Sequence, residues 1–443
     1  MNETIAAIST PFGEGAVSLL RLSGAQAIMV ADQVFCGKSK PSESASRVQQ
    51  FGGIIAGDAV IDDVLLTVFR APASYTGEDL VEICCHGGIL VTRRILQRLL
   101  ECGARPANPG EFTQRAFLNG KMDLTQAEAV MDLIKAQTSL ALRAATEQLE
   151  GRLGARIWEI RETLLGLLAH VEAFIDFPDE EIDPATGAAL LRQLDGVRGS
   201  IDTLLQTAEQ GRILREGVRT VICGEPNVGK SSLLNLLLGY ERAIVSELPG
   251  TTRDTIEEVI NLRGIPLRLV DTAGLRESSD TLEREGMART LKSIERADLV
   301  LRVADGSVEN LNEPRSTAKC EILILNKSDL GVRESWHGVE AMRISCKTNA
   351  GIDALADAIF SRVMGGQVNT GDFSVAINAR HQACLQNALR FIEAAGKAVR
   401  DDLSAEFIAV ELRAALDAVG EVVGKADSEE LLGKIFSTFC IGK

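Results

Sequence analysis

The sequence predicts a multidomain protein with an α+β N-terminal domain, a discontinuous all-α helical domain, and an α/β P-loop domain inserted between the two helical parts. Three observations predict this. Short β-like apolar runs alternate with Gly and Pro breaks up to residue 119. Ala, Leu, Glu and Arg at helical spacing dominate residues 120–215 and return in 371–443. Between them, residues 216–370 alternate strand-like and helical runs, the pattern of a parallel sheet. A chain of 443 residues also exceeds what a single core organises.

In the N-terminal segment, Ala16 to Leu22, Val64 to Phe69 and Leu80 to Cys85 read as strands and Leu90 to Leu100 as a helix. The first helical segment repeats apolar residues at Val130, Ile134, Ala141 and Ala145, then at Leu164, Leu168 and Val171. Phe177-Pro178 and Asp183-Pro184 should end or separate helices there. After the Gly-containing linker 364–371, Ile408, Leu412, Ala415 and Val419 form one apolar stripe. Neither helical segment has a strand to cover it, so the two are expected to pack together, with the nucleotide domain inserted on linkers.

A formal charge of −15 argues against broad, unspecific nucleic-acid binding, which needs a basic surface. Nine cysteines without any CxxC pair suit a reducing compartment. No secretory leader pattern opens the sequence, and no apolar run reaches the roughly 20 residues that span a bilayer. The expectation is a cytoplasmic protein with no membrane association.

Gly224-Glu225-Pro226-Asn227-Val228-Gly229-Lys230-Ser231 fits GxxxxGK[ST], and Ser232 follows as a helical run begins. The strand candidate Thr220 to Cys223 precedes it. Backbone N–H groups of such a loop point at phosphates, and the helix N-terminus favours their charge. Lys230 is expected on the β- and γ-phosphates and the Ser231 hydroxyl on Mg²⁺. Asp271-Thr272-Ala273-Gly274 ends the apolar strand Leu267 to Val270, placing a carboxylate near Mg²⁺ and an N–H near the γ-phosphate. Asn326-Lys327-Ser328-Asp329 ends the strand Ile322 to Leu325, and Ser345-Cys346-Lys347 supports the base from the other side. The Asp329 carboxylate accepts from donors that guanine has and adenine lacks, which discriminates by roughly 10⁴ or more. That element disfavours an ATP site.

In the loop Ser246-Glu247-Leu248-Pro249-Gly250-Thr251-Thr252, a threonine can close over the γ-phosphate and ligate Mg²⁺; Thr252 is the choice, with Thr251 adjacent. Leu275 stands where small signalling GTPases carry a water-orienting Gln. Candidates to replace it lie in the acidic stretch Glu277 to Glu285, Glu283 among them; the alternative is that this stretch is only a solvated switch loop. No arginine finger is evident. A monovalent cation held by the Asn227 amide and carbonyls of the 246–251 loop could supply the charge instead.

At this point the sequence resembles the MnmE (TrmE) family of bacterial tRNA-modification GTPases over its whole length. The most specific matches lie outside the nucleotide domain: Thr4 to Ala7, Gly15 to Gly24, Tyr75 to Asp79, His86 to Gly88, Pro109 to Lys121, Asp123 to Ala129 and the terminal Cys440-Ile441-Gly442-Lys443. The resemblance implies a homodimer formed through the N-terminal domain, and GTPase domains that dimerise transiently with K⁺ and GTP to trigger hydrolysis. It implies an MnmG (GidA) partner carrying FAD chemistry. It implies a carboxymethylaminomethyl-type addition at C5 of the wobble uridine (U34) of certain tRNAs. The one-carbon donor would be a tetrahydrofolate derivative, 5-formyl- or 5,10-methylene-tetrahydrofolate.

By motif, Arg21, Glu78, Lys121 and Lys443 match the family's folate-binding positions; cations suit the folate anion and a carboxylate suits the aminopyrimidine edge. Glu283 matches the family's water-orienting glutamate, and Asn227, Ser246, Leu248 and Thr251 its K⁺ site. Cys440 is implied as a functional thiol, against the plainer reading of a small residue anchoring the tail. His86 reads as a folding or pocket-lining residue rather than a metal ligand. Cys346 for Ala and Pro249 in the switch loop are mild departures. The alternative is a GTP-switch factor for RNA or ribosome assembly without one-carbon chemistry. The acidic chain and the lack of an RNA-binding motif disfavour it.

Overall fold

The computed structural model describes residues 3–176, 187–240, 258–270, 293–309, 320–365, 376–425 and 429–443. They form two compact units, Met1–Met131 with Leu416–Lys443, and Asp132–Ala415. The expected classes are all present: a mixed α/β N-terminal region, helices, and an α/β nucleotide domain. Among the described residues no helix is long and apolar enough to cross a membrane.

The first unit is built on a seven-stranded sheet of β1 (Ile5–Ile8), β2 (Val17–Ser23), β3 (Phe35–Gly37), β4 (Gln49–Ala56), β5 (Ala59–Phe69), β6 (Leu80–His86) and β7 (Arg105–Pro106). Its order is β3-β4-β5-β6-β2-β1-β7, antiparallel except between β1 and β7. Period-two alternation gives it two unlike faces. Val81, Ile83 and Cys85 of β6 are buried with Leu20, Leu22, Val64 and Leu66 beneath α1 (Ala27–Val34) and α2 (Ile89–Glu101). On the opposite face, Phe51, Leu65, Cys84 and Leu19 stand in one row across four strands. Phe51 is 67% and Val17 63% exposed, so this face carries apolar side chains with nothing over them among the described residues. The helix α3 (Glu111–Leu118) packs with the C-terminal helix near Phe436 and Phe439, whose rings lie 5.2 Å apart.

In the second unit, α5 (Ser139–Leu149), α6 (Arg152–Asp176), α7 (Gly187–Gln206) and α8 (Ala208–Glu216) lead into a six-stranded sheet. The helix α4 (Leu124–Lys135) precedes them and crosses the boundary between the units in sequence. The sheet holds β8 (Val218–Cys223), β9 (Glu258–Leu262), β10 (Ile265–Leu269), β11 (Leu299–Asp305), β12 (Glu321–Asn326) and β13 (Met342–Arg343). Its order is β13-β12-β11-β8-β10-β9, and only β9 runs antiparallel. Leu233, Leu234 and Leu237 of α9 (Lys230–Tyr240) and Leu355, Ala356 and Ile359 of α10 (Ile352–Val363) share its core. The later helices are α11 (Ala379–Arg400), α12 (Ala405–Val423) and α13 (Glu429–Phe436). Packing of α7 against α11 brings the two helical segments together. The stripe Ile408, Leu412, Ala415 and Val419 is buried along α12. Contacts divide the 371–443 segment at 415/416 and group its end with the N-terminal sheet.

Candidate functional site

Central in the second sheet, β8 delivers its carboxyl end to the 224–229 loop and α9 begins at Lys230. This is the strand–loop–helix junction at which phosphate-binding loops form. At Gly229 the backbone takes φ +102°, and a Cβ there would lie 2.2 Å from Asn326 Nδ2, so a side chain is excluded both by conformation and by contact. Asn227 is exposed at φ +64° and Val228 is buried. The Lys230 ammonium donates to the carbonyls of Gly224 (3.0 Å) and Glu225 (2.6 Å). Burial lowers its pKa from the ordinary lysine value, with Cys223 opposing. Ser231 and Ser232 are exposed in the first turn of α9.

The end of β12 lies beside this loop. Asn326 is 3% exposed. Its Nδ2 donates to Val228 O at 2.9 Å, and its Oδ1 accepts from Cys346 N at 3.0 Å. One amide therefore ties the phosphate loop to the 345–347 segment. Ser345, also buried, donates its hydroxyl to Asp329 Oδ1 at 2.6 Å, while Asp329 itself is exposed. Lys327 sits at φ +61° with its ammonium on Asp305 Oδ2 at 2.6 Å. Burial pushes the Cys346 thiol up, and Lys347 is exposed. Ser246, Glu247, Leu248, Pro249, Gly250, Thr251, Thr252, Asp271, Thr272, Ala273, Gly274 and Glu283 lie outside the described residues.

In the first unit, Arg21 on β2 faces Glu82 across the strand pair, Nε 2.9 Å from Oε1, and its guanidinium lies 5.6 Å from the Tyr75 ring centre. Burial and the nearby Arg21 charge lower the Lys443 pKa from the ordinary lysine value, against the pull of Cys440 and Glu82. Crowded cations of this kind suit an anionic ligand. The tail is tied down beside the end of β1: Ser9 Oγ donates to Gly442 O at 3.0 Å, and Gly110 N to Cys440 O at 3.3 Å. Cys440 is exposed. Lys121 donates to Pro72 O at 3.1 Å. His86 is exposed and bonded through Nδ1 to Asp62 at 2.7 Å, rather than lining a pocket.

Glu78 is positioned by residues that the sequence reading did not single out. Its Oε2 accepts from Ser23 Oγ and Arg115 Nη1, both at 2.9 Å. Arg115 is 1% exposed and also donates to Glu111 Oε1 at 2.9 Å. Arg105 holds Glu111 by both terminal guanidinium nitrogens, at 2.6 and 2.9 Å. The signal for the inner pair is the i, i+4 spacing of Glu111 and Arg115 on one helix.

Comparison with known proteins covers the whole chain. The model of the GTP-binding protein TrmE N-terminus matches residues 4–121, and that of the MnmE helical domain matches residues 124–440. The chain belongs to the MnmE family. A tRNA modification GTPase MnmE of Akkermansia muciniphila is 52% identical over 451 residues, covering 99% of each chain. An MnmE of Bacillus subtilis with the same description is 45% identical over 458 residues, covering all of both. Among solved structures, a GTP-binding protein of Sulfolobus solfataricus in complex with GDP aligns at 15% identity and TM-score 0.25, over 47% of this chain and 68% of that one. This last likeness is too loose to carry an argument about MnmE chemistry.

Proposed function

We propose that this chain is a cytoplasmic GTP hydrolase that drives a tRNA modification. The observation that carries the reading is the Asn326 amide joining the phosphate loop to the base-side segment, with Asp329 held by Ser345 beside it. Asp329 would accept from guanine, Lys230 and the 224–229 backbone would hold phosphates, and Ser231 with Thr252 would hold Mg²⁺. Glu283 would orient the attacking water, since Leu275 cannot. K⁺, held through Asn227, Ser246, Leu248 and Thr251, would supply transition-state charge. The working division is 1–119, 120–215, 216–370 and 371–443.

Arg21, Glu78, Lys121 and Lys443 would bind a tetrahydrofolate derivative. The crowding of Lys443 by Arg21 suits the folate anion. Glu78 keeps Oε1 without a bond among the described residues, an acceptor for the aminopyrimidine edge. The bound folate would supply the one-carbon unit, and an MnmG-type FAD partner would complete the carboxymethylaminomethyl addition at the wobble uridine. The open apolar row Phe51, Leu65, Cys84 and Leu19 is the surface through which N-terminal domains would form a homodimer.

GTPase rate against protein concentration, in K⁺ and then in Na⁺, tests this. A rate per chain that rises with concentration in K⁺ alone is expected. Glu283→Ala should bind GTP and lose hydrolysis; wild-type turnover by that variant would remove its assignment. Saturable binding of 5-formyl-tetrahydrofolate, lost on changing Arg21 and Glu78, tests the folate site.

A further inference from the structure

We propose that Asp305 is a positioning residue for guanine binding, fixing the Lys327 side chain before the nucleotide arrives. The inference rests on the guanine-nucleotide reading of the site and adds to it a residue outside the phosphate-loop and Asn-Lys-x-Asp elements.

Asp305 ends β11 and stands directly opposite Asn326 in the parallel register with β12. Its two carboxylate oxygens have different tasks. Oδ1 accepts from Ser307 N at 2.9 Å and Ser307 Oγ at 2.6 Å, closing the turn that leaves the strand. Oδ2 accepts from the Lys327 ammonium at 2.6 Å. The turn is braced in its own right: Arg333 donates through Nε to Ser307 O, and Trp336 Nε1 donates to Val308 O. Asp305 is thus a fixed anchor, and the mobile partner is the lysine. Lys327 lies between Asn326 and Asp329, at a left-handed backbone position, and its four-carbon stem has many rotamers when unrestrained. With the ammonium pinned, the stem is ordered beside the place where the base must lie. Ordering a side chain before binding removes that cost from the binding step, about three- to ten-fold in affinity for one long side chain.

The test is a mutant cycle on the full chain, read as the Kd for GDP. Asp305→Asn keeps the Oδ1 acceptor for Ser307 and removes the charge facing Lys327. It should weaken GDP binding about three- to ten-fold. Lys327→Met keeps an apolar stem without the ammonium, and in that background Asp305→Asn should have no further effect. Equal GDP affinity for wild type and Asp305→Asn would overturn the inference alone. So would an equal loss in both backgrounds, which is what a purely structural turn residue would give. Absence of GDP binding by the wild type would overturn the nucleotide reading together with it. Asp305→Ser, which offers Ser307 a hydroxyl acceptor, repeats the cycle if the asparagine variant folds poorly.

Discussion

Asn326 holds the phosphate loop in place: its Nδ2 lies 2.9 Å from the Val228 carbonyl oxygen, in a buried bond that joins residues 98 positions apart. The same side chain receives Cys346 N, so truncation strands a donor and an acceptor together. Asn326→Ala should therefore destabilise the nucleotide domain by roughly 2–5 kcal/mol and weaken nucleotide binding in parallel. Urea denaturation and a GDP titration on one preparation check both. Wild-type stability would show that the bond is replaced by water at no cost.

The Glu111 carboxylate makes folding stability sensitive to acid. Burial alone would raise its pKa, but the Arg105 bonds, the Asn108 N–H and Arg115 outweigh this and hold it at about 2, below the ordinary 4.5. A carboxyl depressed on folding contributes stability that is complete above its unfolded value and is lost as pH falls through the folded one. The window is thus pH 4.5 down to about 2, and the contribution at stake is at most about 3 kcal/mol. Denaturation midpoints across that window should fall for the wild type and fall less for Glu111→Gln. The same acid dependence in both would assign the loss to other groups.

Gly442 fixes the path of the tail. Its backbone takes φ +92°, and an added Cβ would lie 2.6 Å from Ile8 O and 2.8 Å from Ser9 Cα. Gly442→Ala should displace the terminal segment from β1, costing roughly 1–3 kcal/mol. It should also release Lys443 from Arg21 and weaken 5-formyl-tetrahydrofolate binding. Hydrogen exchange at the tail amides reads the displacement directly; unchanged protection would contradict this account of the glycine.

The fold was legible wherever local pattern decides it. The strand expected at Leu80 to Cys85 became β6, Leu90 to Leu100 became α2, and the strand before Gly224 became β8. The strand β4 was missed because Gly52-Gly53 break its alternation, while cross-strand pairing with β5 supports it. At the site, motifs gave the residues proposed to meet phosphate or base, because those residues are close in sequence. Arg115 and Asp305 escaped because each acts on a partner that only folding brings near: Arg115 reaches Glu78 from 37 residues away, and Asp305 reaches Lys327 across adjoining strands. The tail was recognised as a signature, but its place beside the end of β1 depends on contacts with Ser9 and Gly110, more than 300 residues distant.

Exchanging the base together with the carboxylate is the direct measure of guanine recognition by Asp329. A carboxylate accepts from the guanine amine, whereas xanthine has a carbonyl at that position and needs a donor. Asp329→Asn keeps the acceptor for Ser345 and offers an amide to the base. GTP and xanthosine triphosphate hydrolysis should be measured for both proteins in K⁺ and Mg²⁺. The wild type should strongly prefer GTP, and Asp329→Asn should reverse the preference, by roughly 10³ or more overall. An Asp329→Asn protein that keeps the wild-type preference for GTP would contradict guanine recognition by Asp329.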